Sequence, residues 1–271
     1  MLRVGLIGLG AIGRQVAEGV ALGRAGEVEL CAILTRRPRV AGTVSASPPG
    51  EPPRGTTAPR AGEVFRAPLP STAPILTDFA AFLSFRPSIV VEAASAAALT
   101  TFAEPILQSG ASLIVASSSA LVDPALRSRL VAACHNKHAR VYVPAGALGG
   151  LDALAAAAVA GLDAATLRVV EPGNGSASHS VYRGSAVEAA TAFPDRLNIA
   201  ATAALAAGAD VTVSLEQSVA AVRSIELSAS GPFGELFTRL VLEMRAEQLS
   251  HIVALSLLAA LARLQQPFWI G

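Results

Sequence analysis

The sequence predicts an α/β protein: a doubly wound parallel sheet followed by a smaller α+β unit. Three observations predict it. An apolar run at residues 2–7 ends in Gly8-x-Gly10-x-x-Gly13 and passes into a helical pattern at 11–22. Short apolar segments then alternate with helical periodicity as far as Pro144. From Ala165 the texture changes to strands separated by turns. The strand, glycine turn and helix are in the order of a dinucleotide-binding βαβ unit. The first part therefore reads as a Rossmann-type parallel sheet, residues 1–146, and the second as an α+β substrate and dimerisation domain, residues 147–245.

Each glycine has a separate task in such a unit. The first permits a tight turn, the second lets backbone approach a pyrophosphate, and the third lets helix and strand pack closely. The new helix offers its free N–H groups and positive dipole end to the phosphates. Gly8, Gly10, Ala11, Ile12 and Gly13 are thus candidate cofactor contacts. The next strand, 28–34, leads into Thr35-Arg36-Arg37-Pro38. NAD-binding folds usually carry an Asp or Glu there for the ribose 2′-hydroxyl. Here two guanidinium groups stand instead, which suit a 2′-phosphate. Arg36 and Arg37 predict NADP over NAD, unless they only decorate a solvated loop.

Residues 39–73 are rich in Pro, Gly, Ser and Thr and read as an insertion within the first domain. Residues 75–83 read as a short helix. The buried strand at 87–95 brings Ala94 and Ser95 to the cofactor side, since ligands bind outside the carboxyl ends of the strands. A helix at 97–109 precedes a strand at 112–116, after which Ser118 lies at the same edge. Another helix (123–136) and strand (140–144) lead to a second Gly-rich turn at 145–152. That turn either brings backbone to the nicotinamide end or only starts the alanine-rich helix that follows. Beyond Ala165, strands are expected at 166–170, 211–215, 221–228 and 236–244, with helices at 185–191 and 199–207, as an antiparallel sheet with helices. A helix at 249–264, within the segment 246–271, is expected to pack back on the first domain.

Composition narrows the function classes. Of 271 residues, 52% are hydrophobic and 15% charged, so a large core is available. The net charge of +1 gives no general field for nucleic acid. The uncharged run at 252–262 is too short to span a bilayer, and the first strand begins too early to leave room for a signal peptide. Two cysteines make no disulfide framework. The expectation is a soluble cytoplasmic protein. Cys134, His135 and His138 form a C-H-x-x-H cluster with no further ligand at metal spacing, so no metal site is assigned.

The motifs resemble the L-aspartate dehydrogenase family. The matching pieces are GLIGLGAIG at 5–13, VVEAAS at 90–95, SSSALVDPAL at 117–126, VPAGALGGLDAL at 143–154 and the long segment 184–212. The resemblance implies a Rossmann domain with an α+β substrate domain, and puts Ala147 and Asn198 against the nicotinamide half of the cofactor. The departures fall in the second half. Family members carry a catalytic histidine on a strand after the matched asparagine, yet no histidine occurs from 180 to 250. Arg223 stands near that position. The family's Asp-Pro appears as Glu216-Gln217, its Lys-Pro-Pro as Glu171-Pro172-Gly173, and its Asn-Pro-Lys-Thr as residues 245–248.

Hydride chemistry needs an acid or base near the reacting heteroatom. His179 is the candidate catalytic replacement, set against an ordinary surface-loop histidine. Arg183 and Arg223 are candidates to hold an anionic substrate. His251 opens the last helix and reads as a polar cap. The reading is an NAD(P)-dependent oxidoreductase on a small amine, imine or amino acid other than aspartate. An imine or enamine reductase and a non-catalytic dinucleotide-binding protein stand as alternatives. A homodimer is expected.

Overall fold

The computed structural model describes residues 1–36, 72–173, 177–194, 196–219, 222–243 and 251–268. Arg37 and nearly all of the 39–73 tract lie outside the described residues. The first half runs β1 (Leu2–Ile7), α1 (Ala11–Ala21), β2 (Val28–Leu34), β3 (Ile75–Leu76), α2 (Phe79–Ser84), β4 (Ile89–Glu92), α3 (Ala96–Gln108), β5 (Ser112–Val115), α4 (Pro124–Lys137), β6 (Val141–Tyr142) and α5 (Leu151–Ala160). A 3₁₀ turn at Ser118–Val122 links β5 to α4. The strands form one sheet in the order β3-β2-β1-β4-β5-β6, and all neighbours are parallel. The order reverses between β1 and β4, which opens a crevice at their carboxyl ends.

Local chemistry sets the helix starts. Asp78 accepts from the Ala81 N–H at 2.7 Å, Ser95 from Ala98 at 3.2 Å, and Asp123 from Ala125 at 2.9 Å. Each supplies an acceptor to an otherwise orphaned first-turn donor, and Pro124 fills a position that needs no donor. The Asp78 cap corrects the expected helix at 75–83. Ile75 and Leu76 pair with Ile33 and Leu34 as the sheet's edge strand, and the helix begins only after the cap. The short apolar pair carries no period of its own, so tertiary pairing decides its state.

The second half runs β7 (Ala164–Pro172), β8 (His179–Ser185), α6 (Ala186–Ala192), α7 (Asn198–Ala207), β9 (Thr212–Ser218), β10 (Val222–Gly231), β11 (Gly234–Glu243) and α8 (Ile252–Arg263). Its sheet has the order β11-β10-β7-β9-β8. It is mixed rather than antiparallel, because β7 and β9 pair in parallel after a crossover through β8, α6 and α7. β8 is not among the expected strands; its residues are mostly polar, and Val181 and Tyr182 stand side by side, so there is no alternation to read. Along β7, Leu167 and Val169 enter the core beneath α7 while Arg168 faces out.

α8 leaves the second sheet and packs on α1. Leu257, Leu258 and Leu261 share a core with Val16 and Val20. Gly19 admits this contact: a Cβ there would lie 2.3 Å from Leu258 Cδ1. Gln265 Nε2 donates to the Ala25 carbonyl at 2.6 Å and closes the far end. Among the described residues, no helix is long and apolar enough to cross a membrane.

Candidate active site

A cleft lies where the carboxyl end of the parallel sheet meets α7, β10 and the start of α8. Its walls include Ile12, Ser118, Ala147, Asn198, Arg196, Arg223 and His251. Residues from both halves of the chain therefore converge on one cavity.

The glycine turn is built as its sequence requires. Gly8 has φ +96°, and a Cβ there would lie 2.5 Å from the Ala93 carbonyl oxygen. A Cβ on Gly13 would lie 2.1 Å from the Gly8 carbonyl oxygen. Gly10 is different: a Cβ there would meet nothing within 4 Å. It caps α1 without a side-chain bond, and no acidic residue occupies the first turn. The helix thus presents open donors and its positive end to free space, which fits a phosphate. Ala11 is exposed and Ile12 partly buried beside it.

Glu92 shapes the neighbouring loops. It is 1% exposed. Its Oε1 accepts from the N–H groups of Ala94 (2.7 Å) and Ser95 (3.0 Å) and from Ser117 Oγ (2.9 Å), while Oε2 accepts from the Ser117 N–H at 3.0 Å. One carboxylate therefore clamps the ends of β4 and β5. Burial pushes its carboxyl above the usual range, against hydrogen bonds that favour the charge.

A second network joins the two halves. Ser118 Oγ donates to the Asn198 carbonyl at 2.8 Å and lies 2.8 Å from Thr202 Oγ1. The Ser119 N–H donates to Asn198 Oδ1 at 3.0 Å. Asn198 thereby spends its acceptor on the first half, which leaves its amide NH2 as the group it can offer a ligand. Ala147 is buried at the same cavity.

The far wall is cationic. Glu171, at the end of β7, binds both Arg196 and Arg223, the latter at 3.4 Å. Two guanidinium groups on one carboxylate leave a net positive charge at the cleft. Arg223 Nε is the buried side-chain polar atom without a hydrogen-bond partner among the described residues. Such a donor is costly to leave unmet. His251 sits at the cleft's mouth as the cap of α8. Its Nδ1 accepts from the Val253 N–H at 3.3 Å, and its main-chain N–H donates to Gln15 of α1. Burial, then the nearby Arg223 charge, holds its ring below the ordinary histidine pKa.

The structure thus brings together Gly8, Gly10, Ala11, Ile12, Gly13, Ala94, Ser95, Ser118, Ala147, Asn198 and Arg223 around the carboxyl end of the sheet. It does not bring in His179 or Arg183. Both are exposed on β8, the edge strand opposite β11, and neither lines the cleft. Arg36 is exposed just past β2. Glu216 also points away, bound to Arg168 at 2.7 Å on the outer sheet face, and that guanidinium holds its carboxyl below the usual range. Cys134, His135 and His138 sit at the end of α4, and no metal-holding group of three is found among the described residues. The sequence reading gives Glu171 only as a departure from the family pattern and His251 only as a helix cap, and it does not single out Arg196. The signal available was that Glu171 and the stretch before His251 are both places where the family pattern is broken.

Comparison with known proteins agrees with this geometry. The family described as homoserine dehydrogenase, NAD binding domain, matches residues 8–144, and that described as aspartate dehydrogenase, C-terminal, matches 152–264. The chain is 35% identical to L-aspartate dehydrogenase 2 of Bordetella bronchiseptica, with 99% of each chain covered. It is 35% identical to the L-aspartate dehydrogenase of Archaeoglobus fulgidus over 68% of this chain and 79% of that one. The crystal structure of aspartate dehydrogenase from Thermotoga maritima shares the fold, with a TM-score of 0.73, 24% identity and full coverage of both chains. The first half is a nicotinamide-dinucleotide-binding domain, and the chain as a whole belongs to the L-aspartate dehydrogenase family of oxidoreductases.

Proposed function

We propose that this protein is an NADP-preferring oxidoreductase acting on a small amine, imine or amino acid that carries an anionic group, and that aspartate is not its preferred substrate. The observation that carries the reading is Arg223, a partly exposed guanidinium lining the cleft near the position where the family pattern has a histidine. A guanidinium stays charged at all working pH values and is a poor proton donor, but an excellent carboxylate partner. The cofactor side keeps its glycine turn and its Ser118–Asn198 link, so the change is confined to the substrate wall.

When bound, the nicotinamide supplies the hydride acceptor or donor. The residues that would hold the cofactor are Gly8 to Gly13 at the pyrophosphate and Ala147 and Asn198 at the nicotinamide end. Arg36, just past β2, supports a 2′-phosphate by charge, where a carboxylate would repel it. Arg223 orients the substrate through its anionic group. Arg196 and Glu171 hold that guanidinium in place. The assembly is a homodimer through the second sheet, whose edge strand β11 exposes Phe237 and Val241.

The test of the cofactor reading is a fluorescence titration of the purified protein with NADPH and NADH at fixed salt. NADPH is expected to bind at least about tenfold more tightly, or about 1.4 kcal/mol, and Arg36→Glu to erase the difference. Tighter binding of NADH overturns the NADP assignment.

A further inference from the structure

We propose that His251 is a substrate-recognition residue: a neutral imidazole whose Nε2–H and the Arg223 guanidinium, on the same cavity, together bind a substrate carboxylate. The inference rests on the function proposed above, in that the ligand is the substrate of that same cleft.

The argument begins with the ring's own bonds. Val253 N–H donates to His251 Nδ1 at 3.3 Å. A nitrogen that accepts carries no proton, so the neutral ring holds its proton on Nε2. The imidazolium would have to give up this bond. It would also place a positive charge at the positive end of α8, which runs for 12 residues, and beside Arg223. These factors act with burial in one direction, toward a ring that stays neutral. His251 therefore lacks an acceptor to offer and is a weak acid. Its remaining capacity is a single hydrogen-bond donor.

The main chain of His251 is fixed from the other side. Its N–H donates to Gln15 Oε1 on α1, the helix that begins at the glycine turn. The residue is thus anchored to the cofactor half while its ring borders the substrate wall. Arg223 reaches the same cavity from β10. Its NH2 group is turned to Glu171, and its Nε–H is unmet. Among the described residues, the charged groups that reach this cavity or pair with its lining are Arg223 from β10, Arg196 before α7 and Glu171 of β7, which binds both; α1 contributes the neutral Gln15 and Ile12. An imidazole N–H donor beside a partly exposed guanidinium calls for a ligand with two acceptor oxygens and a negative charge. A carboxylate meets both conditions.

The test uses the full chain labelled with 15N, with the His251 ring assigned by its loss in His251→Phe. Its long-range 1H–15N signals are followed against pH, and then against acetate and pyruvate at constant ionic strength. The expected result is a ring protonated on Nε2 and titrating below the free value of about 6.5. The Nε2–H signal shifts on addition of pyruvate, and Arg223→Gln raises the ring's pKa. His251→Phe is expected to weaken pyruvate binding about tenfold or more, as for one lost hydrogen bond to a charged group. His251→Gln, which keeps a donor, should recover part of it, and thermal unfolding checks that each variant is folded. A ring that titrates at or above the free value, or one that pyruvate leaves unmoved, overturns the inference. Turnover of an amine or imine substrate with an unmoved ring sinks this inference alone. A responsive ring without such turnover supports it and sinks the proposed reaction instead.

Discussion

Glu92 shows how much of a site can depend on one residue that is not itself a ligand. It collects three backbone N–H groups and one hydroxyl from the ends of two strands, inside the fold. Removal of the carboxylate strands all four donors, each at a cost of about 1–3 kcal/mol if left unmet. Partial relaxation lowers the sum. Glu92→Ala is therefore expected to destabilise the protein by about 3 kcal/mol or more, measured by urea unfolding with fluorescence detection. A loss below about 1 kcal/mol would mean that the loops hold without it. Glu92 stands in the VVEAAS segment, where its place in an apolar strand marks it as unusual, but its partners are 2, 3 and 25 residues away. The sequence does not reveal that Ser117 reaches it, because that contact exists only once β4 and β5 lie side by side.

At the scale of elements, the parts with a strong local signature were legible. The glycine turn, its strand and its helix were readable because each step has a backbone reason tied to a residue type. The Cβ clash at Gly13 is with backbone, the Gly8 carbonyl at 2.1 Å, so no rotamer change relieves it. Gly13→Ala is expected to lower affinity for NADPH by at least about tenfold and to destabilise the fold, whereas Gly10→Ala, with open space before it, should leave stability nearly unchanged. Fluorescence titration and thermal unfolding of the two variants check the contrast; equal stability of both would contradict it. The parts without a period of their own were not legible. β3 is two residues long and exists by pairing with β2. β8 has only Val181 and Tyr182, adjacent in sequence, to pack on the core, and exists by pairing with β9. The parallel β7–β9 pair depends on a long crossover, which strand-like composition cannot reveal.

At the scale of the whole molecule, the cleft divides by origin. The cofactor side comes from the amino-terminal sheet and reads directly from sequence. The opposite, cationic wall comes from Glu171, Arg196, Arg223 and His251, which are scattered over four segments and meet only through the register of the second sheet and the return of α8 to α1. The family pattern points to Arg223 by the position it stands near; His251 is the cap its sequence suggests, and it also lines the cleft. His179 looks in the sequence like a histidine on a loop, but β8 carries it to the far edge of the sheet. The central claim is that the cofactor half is kept and the substrate wall is rebuilt around a guanidinium. The most direct measurement is the initial rate of NADP reduction with L-aspartate beside a panel of other amino acids and small anionic amines, at saturating cofactor. The account predicts that at least one other substrate is oxidised with a kcat/KM about tenfold or more above that of aspartate, a difference of about 1.4 kcal/mol in transition-state binding. Aspartate as the best substrate of the panel would contradict it.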